Sequence, residues 1–170
     1  LGGDDTFFGG PNADLMKGGD GTDTVDYSDR ALRQTVSLDG EANDGDPIDV
    51  ADVNSLALSG ADNVQQVERV VGGTARDTLT GDDNANSLEG GNSADTLEGR
   101  GGADRLGGGD GNDEILARSA AQGVADPDAL ISCGGGQDTV TADPEDGPVI
   151  AADCEDIDCG NCEVPPAGSP

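Results

Sequence analysis

Between Gly72 and Leu116 the sequence repeats every nine residues without a slip, reading GGTARDTLT, GDDNANSLE, GGNSADTLE, GRGGADRLG and GGDGNDEIL. Position eight is apolar in every copy: Leu79, Leu88, Leu97, Leu106 and Ile115. Position six is Asp77, Asn86, Asp95, Asp104 and Asp113, and position one is always glycine. A short fixed period of this kind marks a solenoid, in which each unit buries its apolar residue only against neighbouring units. Positions seven to nine read as a short strand whose middle side chain faces inward. Two nines then make one coil of a flattened helix, with turns on alternating edges. Residues two repeats apart stack, which puts Asp77, Asp95 and Asp113 on one edge and Asn86 with Asp104 on the other.

The same register extends in both directions. Gly9–Lys17 and Gly18–Asp26 place Asp14 and Asp23 at position six and Met16 and Val25 at position eight; Asp5 and Phe7 belong to a clipped earlier copy. Beyond Leu116 the period slips, then returns with Asp138 at position six and Val140 at position eight, Val149 lying one repeat further on. The chain therefore divides into a first block at 1–27, an insertion at 28–71, the main block at 72–118, a loop or short helix at 119–130, terminal coils with cysteines at 131–163, and a Pro-rich tail at 164–170. Within the insertion, Thr35–Leu38 alternates like a half-buried strand and ends at an Asp39-Gly40 turn. Residues 41–52 read as an exposed acidic loop, in which Asp44, Asp46, Asp49 and Asp52 are expected to be solvated, a further ion site being the alternative. Val25 and Leu79 are separated by six whole repeats, a spacing compatible with an unbroken register.

Composition shows what such a scaffold lacks. One buried leucine per repeat contributes roughly 1.5–3 kcal/mol, well short of the entropy lost on ordering the rest of the unit. The 170-residue chain carries 36 acidic against 8 basic side chains, a net charge of −28, and self-repulsion opposes compaction further. Cations are the missing component. Glycines at positions one, two and often four permit φ > 0 and expose carbonyl oxygens on one side of each turn. Hard oxygen ligands in a flexible loop favour calcium over magnesium.

Several function classes fall away. Histidine is absent, which excludes imidazole bases, zinc–histidine sites and Ser–His nucleophiles. So acidic a surface disfavours nucleic acid, and no apolar run approaches the ~20 residues that span a bilayer, so the chain is expected to be soluble with no membrane span. It opens at Leu1, inside a repeat and without an initiator methionine, and reads as a processed product or an excised piece. Four cysteines suggest export to an oxidising compartment. Cys133 with Cys154 and Cys159 with Cys162 is the favoured of three possible pairings. Zinc at the Cys159–Cys162 CxxC is disfavoured for want of a second CxxC, and redox activity for want of a thioredoxin-like context. An ice-binding threonine ladder at position seven is interrupted by Arg105 and Glu114.

GGDGTDTVD and GGDGNDEIL resemble the GGxGxDxUx nonapeptide of hemolysin-type, repeats-in-toxin (RTX) calcium-binding proteins. The insertion and the tail around ISCGGGQDTVTAD also look like segments of secreted actinobacterial-type members. The resemblance implies an all-β fold, a right-handed parallel β-roll (β-solenoid) with two nonapeptides per coil and several Ca²⁺ ions between adjacent turns. It implies acidic ligands at Asp5, Asp14, Asp23, Asp77, Asp95, Asp104, Asp113 and Asp138. Main-chain ligands would come from positions two and four: Gly10, Asn12, Gly19, Gly21, Gly91, Ser93, Gly102, Gly109 and Gly111. Departures are Asn86, which is neutral and should weaken its site, Ala75, Asn84 and Ser93 at position four, and Asp82 and Arg100 at position two. The functional expectation is an extracellular, non-catalytic calcium-binding module of structural or adhesive type. The alternative is a subunit that self-associates into a filament, matrix or surface layer, and a third reading is the non-catalytic part of a secreted hydrolase.

Overall fold

The computed structural model describes residues 2–10, 13–46, 62–118 and 127–160. Asn12, Cys162, most of the 119–130 segment and the 164–170 tail lie outside the described residues. The described part is a parallel β-roll of short strands, with no α-helix and none long or apolar enough to cross a membrane.

The strands in chain order are β1 Thr6–Phe8, β2 Leu15–Lys17, β3 Thr24–Asp26, β4 Thr35–Ser37, β5 Asn63–Gln65, β6 Arg69–Val71, β7 Thr78–Thr80, β8 Ser87–Asn92, β9 Thr96–Glu98, β10 Arg105–Asp110, β11 Glu114–Ala117, β12 Leu130–Gly135, β13 Thr139–Ala142 and β14 Asp156–Asp158. One face of the roll is the sheet β1-β3-β6-β8-β10-β12; the other is β4-β7-β9-β11-β13-β14, with β2-β5 as a separate pair. Consecutive strands alternate between faces through the repeat block, so neighbours within a sheet come from alternate repeats. Leu79, Leu97 and Ile115 stack in one row and Leu88 with Leu106 in the other. Side chains alternate in direction along each strand, which sends the middle residue inward. Val25, Val64, Val70, Leu79, Leu88, Leu97, Leu106, Ile115, Ile131 and Val140 are accordingly buried between the sheets.

The non-repeat segments keep this stacking but change its count. Val25 pairs with Val70, which pairs with Leu88, while Leu79 lies in the opposite sheet beside Val36. The six-repeat spacing between Val25 and Leu79 is therefore not an unbroken register. An even number of repeats would put both on one face, and the insertion instead adds a reversed step. Asp44 bridges Asp62 and Gly45 bridges Thr35, both antiparallel. Asp44 and Asp46 are buried, not solvated, because that step carries them inside; Asp44 accepts hydrogen bonds from the backbone N–H of Ser37 (2.6 Å) and Val64 (2.9 Å). Residues 47–52 lie outside the described part. At the other end, Val149 closes a short 3₁₀ segment, Pro144–Val149, and Ile150 is the residue that bridges Ile131 and enters the core.

Cys133 and Cys154 form a disulfide, tying β12 to the segment that enters β14. Cys159 is also disulfide-bonded, and no described cysteine is free. Oxidised sulfurs cannot act as thiolate ligands, which removes the zinc reading for Cys159.

Candidate metal centres

The position-six side chains form hydrogen-bonded ladders along both edges of the roll. On one edge the backbone N–H of Gln34 donates to Asp77 Oδ1 (2.7 Å), Asp77 to Asp95 (2.7 Å), Asp95 to Asp113 (2.8 Å), Asp113 to Asp138 (2.7 Å), and Asp138 to Glu155 Oε2 (3.1 Å). On the other, Asp5 donates to Asp23 (2.9 Å), Asp23 to Glu68 Oε2 (2.8 Å), Asn86 to Asp104 (2.8 Å), Asp104 to Asp128 (3.0 Å) and Asp128 to Asp146 (2.8 Å). Asp14 donates to Asp62 Oδ1 (2.9 Å) beside the β2-β5 pair. One carboxylate oxygen thus satisfies a main-chain donor at each turn, a donor that would otherwise be buried unpaired.

The second oxygen is different. Oδ2 of Asp23, Asp95, Asp113 and Asp138 is buried without a hydrogen-bond partner, and each of these residues is at most 2 % exposed. Asp5 Oδ2 is likewise unpartnered, on a residue buried only in part. An ionised oxygen left this way is costly unless it is protonated or meets a cation. Main-chain carbonyl oxygens stand close to it. A Cβ placed on Gly90 would stand 2.5 Å from Asp95 Oδ2 and 2.6 Å from the Gly108 carbonyl oxygen, and one on Gly108 would fall between Asp113 Oδ2 and the Cys133 carbonyl. Within Gly72–Leu116 position one is therefore glycine because a side chain would fill the space between a carboxylate and the next coil's carbonyl. It is not glycine for conformational freedom, since the left-handed region is reserved for positions two and four: Gly91 at φ 106° and Ser93 at 75°, Arg100 at 72° and Gly102 at 103°. The carbonyls of Gly91 and Ser93 lie against Gly109 and Gly111 of the next coil, and those of Gly109 and Gly111 against Gly134 and Gly136. Gly3 faces Gly21 and Asn84 faces Gly102 in the same way. Gly19 differs, donating its N–H to the Gln66 carbonyl (3.3 Å).

Among the described residues no three acidic or cysteine side chains converge. A cation in these turns would be held by one carboxylate per turn together with main-chain carbonyls, an all-oxygen donor set suited to calcium. The sequence model of the RTX calcium-binding nonapeptide repeat matches in four copies, over residues 1–29, 67–92 and 80–115. The chain carries RTX repeats. RTX nonapeptide repeats are calcium-binding, and the orphaned carboxylate oxygens here are chemically fitted to that ion. No curated protein matches the chain significantly.

Several ladder members outside the RTX consensus escaped the periodicity: Gln34, Asp62, Glu68, Asp128, Asp146 and Glu155. Three of them carried a readable signal, an acidic residue two places before an inward apolar one, in Asp62-Asn63-Val64, Glu68-Arg69-Val70 and Glu155-Asp156-Ile157.

Burial raises the carboxyl of Asp95 to about 7, helped by the neighbouring charges of Asp77 and Asp113 and opposed by the hydrogen bond from Asp77. Asp113 and Asp77 are raised for the same leading reason, desolvation. A raised folded-state pKa gives stability that is fully present below the unfolded carboxylate range of ~4 and lost as pH rises through the folded value. The calcium-free chain should therefore be more stable at pH 5 than at pH 8, as read by chemical unfolding in chelator. Calcium affinity should run the opposite way, falling as pH drops through 7, because protons and calcium compete for the same oxygens.

Proposed function

We propose that the chain is an extracellular calcium-binding β-roll that folds on, and is stabilised by, several calcium ions, serving as a structural or adhesive module. The observation that carries this reading is the row of buried Oδ2 atoms facing main-chain carbonyls in turns that match the RTX repeat. The proposed acidic ligands are Asp5, Asp23, Asp95, Asp104, Asp113 and Asp138. Asp104 joins them because its turn has the left-handed residues Arg100 and Gly102 at positions two and four. The main-chain ligands are the carbonyls of their own and adjacent turns, including Gly19, Gly21, Gly91, Ser93, Gly102, Gly109 and Gly111. These residues hold the ions, and the ions in turn hold the coils in register by neutralising oxygens that otherwise repel. The disulfide between Cys133 and Cys154 supports an oxidising, extracellular setting. So does the need for calcium at concentrations well above dissociation constants, since each site at ~100 Kd adds roughly 2.7 kcal/mol.

Equilibrium dialysis tests this directly. Several calcium ions should be retained per chain at millimolar calcium, and equimolar magnesium should displace few of them, because magnesium demands a tighter octahedral shell. Retention of no calcium, or equal displacement by magnesium, would sink the reading.

A further inference from the structure

The repeat turns are of two kinds, and position six alone does not separate them. At Asp95, Asp113 and Asp138 the position-two glycines Gly91, Gly109 and Gly134 have φ of 106°, 106° and 95°, and Oδ2 is left without a partner. At Asp14, Asp77 and Asn86 the side chain is instead capped within its own turn. Gly10 N–H donates to Asp14 Oδ2 (2.8 Å), Gly73 N–H to Asp77 Oδ2 (2.6 Å) and Asp82 N–H to Asn86 Oδ1 (2.8 Å). Gly73 and Asp82 are outside the left-handed region, which is what turns their N–H groups onto the side chain. Each donor engages the side-chain oxygen whose counterpart stands unpartnered in the open turns.

One basic side chain completes this arrangement. The Arg30 guanidinium donates through Nη2 to the carbonyl oxygens of both Gly9 and Gly10, positions one and two of the Asp14 turn. Its side chain is only 19 % exposed. The Arg30 carbonyl in turn accepts from Thr74 N–H (3.0 Å) and Thr74 Oγ1 (3.1 Å), inside the Asp77 turn. A single residue thus supplies positive charge to one capped turn and a hydrogen-bond acceptor to the next.

We propose that the Asp14, Asp77 and Asn86 turns are closed without any ion, and that the Arg30 guanidinium takes the place of a bound cation at the Asp14 turn. Calcium then occupies the turns of Asp5 and Asp23 and those from Asp95 to Asp138, while the Asp77 and Asn86 turns between them, and the Asp14 turn, hold none. This rests on the calcium reading above and limits where that reading applies. Although Asp14 and Asp77 fit the consensus, they are structural caps.

The test compares carboxamide variants by calcium count in native mass spectrometry and by the slope of unfolding free energy against log calcium concentration. Asp14→Asn retains an oxygen to accept from Gly10, and its count and slope should equal those of the unmodified chain. Asp77→Asn loses one of two hydrogen bonds and should unfold more easily, again with no ion lost. Asp95→Asn and Asp113→Asn should each lower both readouts. Arg30→Gln should lower the thermal midpoint at every calcium concentration while keeping the slope. A lower count in Asp14→Asn or Asp77→Asn would overturn the division, and an unchanged midpoint in Arg30→Gln would overturn the surrogate-cation role. An unmodified chain that binds no calcium would instead defeat the underlying calcium reading, leaving the Arg30 midpoint to decide its own part.

Discussion

Replacing Asp95 with alanine is expected to cost about 4–6 kcal/mol in saturating calcium, a large fraction of the ~5–15 kcal/mol that holds a typical domain together. Two losses add. Asp95 Oδ1 accepts from the buried backbone N–H of Asp77 at 2.7 Å, and orphaning that donor costs roughly 1–3 kcal/mol. The unpartnered Oδ2 is the proposed ion ligand, and forfeiting an ion present at ~100 Kd removes about 2.7 kcal/mol more. Asp95→Asn separates the two, because an amide oxygen can still accept from Asp77 while the charge is gone. Urea unfolding of both variants should therefore give a smaller loss for asparagine, about the ion's share alone. Equal losses would mean that the ladder bond carries nothing, and no loss in either would mean that the turn holds no ion.

Adding a single methyl group should be nearly as damaging. In Gly90→Ala the new Cβ meets Asp95 Oδ2 at 2.5 Å, Asp95 Cβ at 3.0 Å and the Gly108 carbonyl at 2.6 Å. A carbonyl fixed in the next coil cannot swing aside as a flexible side chain would, so overpacking of about 1–3 kcal/mol is expected together with loss of the neighbouring ion. Gly107→Ala is the control. A Cβ there meets nothing closer than 3.9 Å, and replacing glycine in an accessible conformation stabilises by roughly 0.4–1 kcal/mol through the unfolded chain. Thermal unfolding should move in opposite directions for the two variants; a tolerated Gly90→Ala would contradict the cradle.

The alternation of faces and the apolar rows were legible in the sequence because strand geometry has a fixed period of two, so the apolar residue of each repeat had to point inward. Leu79, Leu97 and Ile115 needed no tertiary information to be placed. What could not be read depended on contacts between coils. The glycine at position one, as at Gly90, answers to the Gly108 carbonyl of the next coil, not to its own backbone angles, so its purpose is invisible within one repeat. The parity change between Val25 and Leu79 arises from antiparallel bridges at Asp44 and Gly45, inside a segment with no repeat to follow. Asp77 and Asp95 look alike in sequence and differ in structure. Gly73 turns its N–H onto Asp77, whereas Gly91 turns away from Asp95. Position four hinted at this, being Ala75 in the capped turn, yet Ser93 adopts φ 75° in an open one, so residue identity there does not decide the turn.

Far-UV circular dichroism of the full chain, recorded in excess chelator and again after calcium is restored to millimolar concentration, tests the central claim most directly. Strands whose cores hold one apolar residue each and whose turns bury several unpartnered carboxylate oxygens should lose their β-sheet signal in chelator and regain it with calcium. A spectrum that chelator leaves unchanged would contradict the account.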